Sequence, residues 1–510
     1  MKVVKIFRIV LGAVIFWGLV AGAAGAAKND TLIWAVSTKI PTMDIYATTS
    51  LNLTNIYHMV SDSLVERDLD DLSIKPGLAR SWKRLNDTTW EFFLQPGVTF
   101  HNGNPLTSEA VRFTIMDWIL NPEMKSKLRS AYTFIKEVEI IDDLHFRIHT
   151  TGPYPLVLER FCTFFPYDPE FGMKNQGQEV AQFAMGTGPY KMVKWDKGSQ
   201  LMLTANENYW VDGLPKIKNI TIRVIPEQST RIAELISGNV HLISKLDPDK
   251  VALVEKNPRT KVLETPSHRI NFWQFDTLGR AGKSPVQDKR VRQAIWHAID
   301  RQAIIDTMFQ GHAEIINSPL SPFDFGYIPY LEGLEYNPEK ARQLLKEAGY
   351  ENGFEMEVMY YYPIQHQFNS AAMGFLKKVG ITLLLKDFRG NIGQAIEMRD
   401  GGKAKDVGNF GWASYMLLDA DGTLPIWFGE GSRKNYTGDA ELATWIEEAR
   451  FSFDREKRRG LYEKAQKRII ENVYWMPIST VNSIYGAAKN LNLKLPINET
   501  LLLKIAHWDM

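Results

Sequence analysis

Apolar positions along this chain recur with two periods, and the places where the period changes mark its elements. Trp90, Phe92 and Leu94 alternate with Glu91, Phe93 and Gln95, the period of a strand with one buried face. Asn86-Asp87 before this run and Pro96-Gly97 after it are turn pairs. Residues 74–115 therefore read as a hairpin, a short strand begun by Val98 and Phe100, a turn at Asn102-Gly103, and a helix. Thr107 is placed to cap that helix, with Glu109 in its first turn. Similar patterning predicts strands at Thr31–Val36, Lys191–Trp195, Leu201–Thr204, Ile220–Val224, Phe354–Met359 and Trp475–Thr480, and a hairpin over 138–149. Helices are predicted at 53–66, at Arg231–Ser237 closed by Gly238, at Asp288–Ala298, and from Asp300 to Gly311. The clearest one starts at Asn337, with Pro338 in its first position, Ala341, Leu344, Leu345 and Ala348 on one face, and Gly349 past its end. Asp439 and Asp454 can cap two more. Predicted strands and helices thus follow one another along the chain.

The N-terminus changes the picture of where the chain works. Lys2, Lys5 and Arg8 precede an apolar run from Ile9 to Val20, and small residues follow from Ala21 to Ala27. This is the pattern of a secretory signal peptide spanning 1–27, cleaved after Ala26 or Ala27. The run is short for a membrane span. No cysteine follows it, so a lipid-modified N-terminus is not expected and a free periplasmic protein is. The only cysteine, Cys162, lies among Phe161, Phe164 and Phe165, which suits a buried, inert thiol. The formal net charge is +1, with both signs interspersed, which argues against nucleic acid or anionic membrane as partner. The 14 Trp and 19 Tyr exceed what turns and caps need, and such side chains serve both cores and pockets for small organic ligands.

Catalytic patterns do not emerge. There is no Gly-x-Ser-x-Gly, no His-Glu-x-x-His and no P-loop. The ten histidines are scattered, and the pair His145 and His149 falls in a predicted strand without a nearby third ligand. No metal site, cofactor or enzymatic activity is expected.

Gly77-Leu78-Ala79-Arg80-Ser81-Trp82 and Gly97-Val98-Thr99-Phe100-His101-Asn102-Gly103 closely resemble the signature of family 5 solute-binding proteins, the peptide/nickel-type receptors of bacterial ABC importers. Gly186-Thr187-Gly188-Pro189-Tyr190 and Asn208-Tyr209-Trp210, in a block where the family shows asparagine-x-x-tyrosine-tryptophan, and Arg290-Val291-Arg292-Gln293-Ala294 and Ala298-Ile299-Asp300-Arg301 resemble further family motifs, in the family's order. Gly238-Asn239-Val240-His241 departs from the glycine-x-valine-aspartate usual there. The resemblance runs from about residue 31 to the C-terminus. It implies an α/β fold, a two-lobed, hinge-closing periplasmic binding protein of type II with an extra domain on the first lobe. Lobe one would comprise 28–56, 184–267 and 485–510, the extra α/β domain 57–183, and lobe two 268–484. It also implies partners: a small-molecule or short-peptide ligand held between the lobes, and inner-membrane ABC permease subunits with cytoplasmic ATPases. The receptor is expected to act as a monomer.

The resemblance also directs attention to candidate ligand contacts. The loop Thr42-Met43-Asp44-Ile45-Tyr46 corresponds to one reaching the cleft, which nominates Tyr46. The segment Phe410-Gly411-Trp412-Ala413-Ser414-Tyr415 corresponds to a strand end at the cleft, nominating Trp412, Ser414 and Tyr415. Peptide-binding members commonly carry an aspartate three residues after this tryptophan, where it meets the ligand's ammonium. Here the position is Tyr415, which can hydrogen-bond and stack but cannot neutralise an ammonium. Asp419 and Asp421 are close enough in sequence to substitute, or they form a solvated turn. Tyr361, within Tyr360-Tyr361-Tyr362, and Trp273 near the expected hinge complete the set. A peptide or peptide-like solute is the expected ligand; an opine, glycoside or metal chelate in the same fold is the alternative, and a periplasmic hydrolase a more distant one.

Overall fold

The computed structural model describes residues 30–174, 178–414, 417–497 and 499–509; the expected signal peptide and Tyr415 lie outside them. Two large mixed sheets organise the chain. In the first, seven strands lie side by side in the order Thr260–Thr265, Ser483–Ala488, Leu242–Ser244, Thr31–Val36, Asn219–Val224, Gln200–Ala205 and Tyr190–Asp196. In the second, six strands follow the order Ala313–Ile315, Trp475–Val481, Ile270–Phe275, Val407–Trp412, Phe354–Tyr360 and Ile381–Asp387. A separate four-stranded antiparallel sheet orders Ala79–Asn86, Thr89–Leu94, His145–Thr150 and Ile135–Asp142. This is the α/β architecture the resemblance implied.

The strand faces follow the sequence. In Thr89–Leu94 the side chains of Trp90, Phe92 and Leu94 are buried while Glu91 and Phe93 are half-exposed. Phe92 stacks on Phe146 of the next strand, ring centroids 5.3 Å apart. Ile270–Phe275 is buried at every position, as expected of a central strand covered on both faces. His145 and His149 do lie on a strand, each beside a carboxylate of a neighbouring strand, Glu91 at 3.1 Å and Glu139 at 2.9 Å.

Several boundaries differ from the sequence reading. The first helix is Leu51–Val60, ending six residues early because Ser61 turns extended and its N–H closes on Tyr57. Val98 and Phe100 are buried but start no strand; only a bridge between Thr99 and Pro105 forms there. Thr107 occupies the cap position without a side-chain cap bond. The helix at Gly238 begins earlier, at Gln228. The Asn337 helix has its cap bond to the Lys340 N–H, and Gly349 takes the positive φ of 84° that a side chain would resist.

The four-stranded sheet and the first large sheet share one hydrophobic core, and the buried carboxylate of Asp62 ties the end of the first helix to the segments around Thr187 and Tyr209. Asp62 accepts hydrogen bonds from Thr187 Oγ1, Tyr209 Oη and Trp210 Nε1 at 3.2, 2.8 and 2.8 Å, and Lys504 Nζ stands 3.7 Å away. Burial raises Asp62, with the Lys504 charge opposing. The Gly-Thr-Gly-Pro-Tyr run lies hard against the end of the first helix: a Cβ on Gly186 would meet Val60 O at 2.3 Å, and one on Gly188 the Ser61 N at 2.5 Å. His101 reaches the same run, its N–H donating to Gly186 O at 2.9 Å and its Nε2 3.0 Å from Gly188 O.

Two segments carry the chain between the large sheets, 266–269 and around Asn482. Glu499 ties them together, accepting from Ser267 Oγ at 2.8 Å and Ser483 Oγ at 3.3 Å, and pairing with Arg269 at 3.1 Å. Burial, the largest single influence, would raise this carboxyl, but the Arg269 and His268 charges and the hydrogen bonds from Arg269 and Ser267 together overcome it and hold it down at about 2. A carboxyl depressed in the folded state stabilises fully above its ordinary value and loses that contribution as pH falls through its folded value. Glu499→Gln is therefore expected to cost about 1–3 kcal/mol at pH 7. Urea unfolding should show the gap between variant and parent narrowing from pH 7 to pH 3; a gap that is constant with pH would refute the charge-based account.

Candidate functional site

The topology brings one edge of each large sheet together. Ile270 is level with both Trp412 and Thr480, so the start of one strand and the ends of two others share an edge. Val407–Trp412 and Phe354–Tyr360 are parallel, which puts Tyr360 and the two tyrosines after it on that edge too. Both crossing segments leave from here. On the first sheet they arrive at Thr265 and Ser483, which are paired. Thr31–Val36 and Leu242–Ser244 run parallel to each other and antiparallel to Ser483–Ala488 in the case of the latter, so their C-terminal ends face the same junction. Ligands of open α/β sheets bind at such carboxyl ends.

Trp412 is half-buried, and its Nε1 donates to Gly422 O at 2.8 Å, tying the neck of the loop between them. Gly422 is required there, because a Cβ would meet the Ser414 Cβ at 2.5 Å. Within this loop Leu418 holds a positive φ of 48°, a strained state for a leucine. Hydrogen bonds from Phe325 N to Leu418 O at 2.9 Å and from Ala420 N to Phe325 O at 3.0 Å fix it. Ser414 is buried, its Oγ donating to Asp324 Oδ1 at 2.5 Å. Burial pushes the Asp324 carboxyl up to about 7 despite that bond.

Asp419 and Asp421 form the turn foreseen, Asp419 Oδ1 accepting from Asp421 N at 2.9 Å, but it is not solvated. They are 3% and 1% exposed. One guanidinium nitrogen of Arg458 reaches both Asp419 oxygens, at 2.7 and 2.9 Å; burial pushes Asp419 up, and Arg458 opposes it. Asp421 stands between Arg450, 3.1 Å away, and Arg160, 3.5 Å away, with Tyr154 Oη also at 3.5 Å. Arg160 Nε in turn donates to Tyr154 Oη at 3.0 Å. Both acids are thus occupied by arginines of the chain itself.

The remaining nominated residues divide. Tyr46 is fully buried; its hydroxyl donates to Phe165 O at 2.9 Å and accepts from Phe165 N at 3.0 Å. Trp273 is also fully buried, its Nε1 donating to Asn369 Oδ1 at 3.0 Å. Tyr361 is 5% exposed and receives Arg399 Nη1 on its hydroxyl at 3.3 Å. Its neighbour Tyr362, packed edge-on against it, is 42% exposed. Arg160, Arg450, Arg458 and Asp324 were not singled out from sequence. Arg160 had a signal: the charged pair Glu159-Arg160 interrupts an otherwise apolar run from Val157 to Phe165, and a buried charge demands a partner.

Comparison with known proteins adds a decisive observation. Residues 73–435 match the family described as bacterial extracellular solute-binding proteins, family 5 middle. The chain belongs to this family. It is accordingly a substrate-binding subunit of an ABC importer, the class that captures a solute and delivers it to a membrane permease. The glutathione-binding protein GsiB of Pectobacterium atrosepticum is 26% identical over 494 residues, covering 93% of this chain and 92% of that protein. Among solved structures, Helicobacter pylori DppA in complex with the peptide STSA has a TM-score of 0.81 at 22% identity, covering 94% of this chain and 98% of that one. Campylobacter jejuni NikZ in complex with Ni(L-His) has a TM-score of 0.78 at 23% identity, covering 92% and 97%. Among the described residues no helix is long and apolar enough to cross a membrane.

Neutralising Asp421 leaves two arginines facing an amide. Asp421→Asn is expected to destabilise the folded chain by about 2–4 kcal/mol, read from urea unfolding. Combining it with Arg160→Met should recover part of the loss. A change below about 0.5 kcal/mol, the usual range for surface substitutions, would mean the cluster carries no net charge coupling.

Proposed function

We propose that this family 5 protein captures a short peptide or peptide-like solute between two lobes in the periplasm. Lobe one is assigned to 28–56, 184–267 and 485–510, the extra domain to 57–183, and lobe two to 268–484. The membership of the two large sheets supports this division, although strand Ser483–Ala488 begins two residues before the last boundary. Ligand binding closes the lobes about the two crossing segments, and the closed population is what the permease reads. Export by a cleaved signal peptide at 1–27, a free N-terminus without lipid, action as a monomer, and the absence of catalysis, cofactor and nucleic-acid partner belong to the same reading. It is supported by family membership and by relatives named as binding proteins.

The observation that decides how the solute is held is that Asp419 and Asp421 are committed to arginines. Neither is left to meet a solute ammonium, which needs an anionic, desolvated partner. Recognition then falls to aromatic and neutral polar groups at the shared edge, with Trp412, Tyr415 and the Tyr361-Tyr362 pair in contact with the solute. Tyr46, Trp273, Ser414, Asp419 and Asp421 hold the walls of the cleft. The relative named for glutathione and the neighbour holding a tetrapeptide support a peptide-like solute. The neighbour holding Ni(L-His) keeps a metal chelate as the second reading.

Native mass spectrometry of protein exported in a bacterial host, followed by thermal shift with reduced glutathione, short peptides, opines and nickel–histidine, tests this. A true ligand at a hundred times its dissociation constant should stabilise by about 2.7 kcal/mol. Silence from all peptide-like solutes alongside a shift with another class would sink the peptide assignment. Trp412→Ala should weaken the ligand about tenfold or more, and should also lower the unliganded melting temperature because it removes the hydrogen bond to Gly422 O. Tyr415→Asp should shift preference toward solutes with a free ammonium; an unchanged ligand profile would remove this position from the specificity site.

A further inference from the structure

Behind the second sheet lies a pocket that the reading above does not use. Helix Pro363–Lys377 and Phe309 of helix Arg301–Phe309 cover the sheet face carrying Asn271, Asn409 and Ser479. The space leaves about 10 Å³ for the centre of a water-sized group, which is the room one such group needs. Apart from Asn271, Gln365, Asn409 and Ser479, its lining is aliphatic and aromatic, and no charged side chain reaches it.

Three of those four polar residues bring an atom without a partner among the described residues: Gln365 Nε2, Asn409 Oδ1 and Ser479 Oγ, on side chains 2%, 1% and 1% exposed. Asn369 Nδ2, immediately behind, is in the same condition and fully buried. The orientation of these amides is set by their other halves. Gln365 Oε1 accepts from the backbone N–H groups of Tyr361 and Tyr362, both at 2.9 Å, so Nε2 must turn away from them. Asn369 Oδ1 accepts from the indole of Trp273 at 3.0 Å and from Asn409 Nδ2 at 2.7 Å. An indole N–H can only donate, which fixes Asn369 Oδ1 and, through it, leaves Asn409 Oδ1 as the outward atom. The free atoms cannot be paired by turning the amides over. Buried polar groups in this number are costly when nothing meets them.

We propose that this pocket is a binding site for a single neutral hydroxyl group. Gln365 Nε2 donates, Asn409 Oδ1 accepts, and Ser479 Oγ does either. A carboxylate would face the Asn409 oxygen and an ammonium would face amide N–H groups, so neither fits. A group that donates and accepts at once satisfies the set. It comes from a water molecule or from a hydroxyl of the solute, and the second source rests on the cleft assignment above. Asn409 lies three residues before Trp412, and Gln365 organises the backbone of Tyr361 and Tyr362. The occupant therefore bridges the sheet to the helix start that carries the exposed Tyr362.

A high-resolution crystal structure of the mature chain, first without added solute and then with reduced glutathione or a serine-containing peptide, tests the site. The expected result is one hydroxyl-sized density within hydrogen-bond distance of Gln365 Nε2, Asn409 Oδ1 and Ser479 Oγ. An isolated peak in both crystals identifies water; density continuous with a molecule at Trp412 identifies the solute. A dry pocket in crystals that show other buried waters overturns the proposal, as does pairing of these groups with one another. Ser479→Ala, which removes the hydroxyl and adds nothing in its place, supplies the second arm. If the occupant is water, it lowers the melting temperature and leaves solute affinity unchanged. If it is the solute's hydroxyl, affinity falls about tenfold. No change in either quantity refutes the site. Because the first crystal needs no solute, failure of the ligand assignment leaves this test intact.

Discussion

A carboxylate sealed from water either takes up a proton or keeps a cation beside it, and Asp421 finds its cations on two different parts of the chain. Arg450 comes from the helix Ala440–Arg450, beside the second sheet. Arg160 comes from the short helix Val157–Phe161, packed with the four-stranded sheet. Separating those parts would strip Arg160 and Tyr154 from the carboxylate and open both to water. The cost of a broken buried pair is the desolvation already incurred, not the modest Coulomb energy of a surface pair. The interaction therefore acts less as a source of stability than as a condition on geometry. The arrangement described here is one in which the condition is met.

That condition propagates because neither side of it is loose. On one side, Asp62 gathers Thr187, Tyr209 and Trp210, while Gly186 and Gly188 let the backbone touch the end of helix Leu51–Val60. The four-stranded sheet and the first large sheet thus share a core, and Arg160 moves with both. On the other side, Asp419 is held by Arg458, and the loop from Trp412 to Gly422 is closed at its neck by an indole hydrogen bond. The strained Leu418 is tolerated because its neighbours determine its backbone. Further contacts meet across the same boundary: Arg84 lies 3.9 Å over the Phe453 ring, and Arg67 donates to Leu417 O at 3.4 Å. A relative movement of the two bodies would release all of these together, whereas Glu499 is bonded to residues at both crossing segments.

The sequence was most informative where a short-range rule decided the outcome. The alternation in Thr89–Leu94 and the caps at Asn337, Asp439 and Asp454 need only neighbours within four residues, and the chain folds there as its pattern says. The family signature was legible for a related reason. Its glycines serve turns of positive φ, at Gly97 and Gly103, or close backbone approaches, Gly77 to Ser63 and Gly186 and Gly188 to the Val60–Ser61 turn, where His101 also reaches Gly188 O. What could not be read was the partner of a charge across long sequence distances. Asp419 and Asp421 looked like a solvated turn because their arginines lie elsewhere in the chain. Val98 and Phe100 had the apolar spacing of a strand, but burial of both was achieved without one. Tyr46 and Trp273 were nominated as ligand groups by position; their hydroxyl and indole are engaged inside the protein.

The engagement of the acids bears on how such a receptor can choose its solute. A free aspartate beside the cleft selects for an ammonium through a single strong interaction, and every peptide with a free amino end shares it. When the nearby acids are instead bound by internal arginines, no single charge on the solute dominates. Selection must then come from groups that are individually weaker and more directional, such as an exposed indole edge, a tyrosine hydroxyl or a fixed amide. Directional neutral hydrogen bonds discriminate strongly, because a solute lacking the matching group leaves a buried donor or acceptor unmet. The fully oriented amides of Gln365, Asn369 and Asn409 are of that kind, and they stand one bond from Trp273, Tyr361 and Tyr362. On the proposed assignment of the cleft, a second sheet built in this way would favour shape and hydrogen-bond pattern over charge.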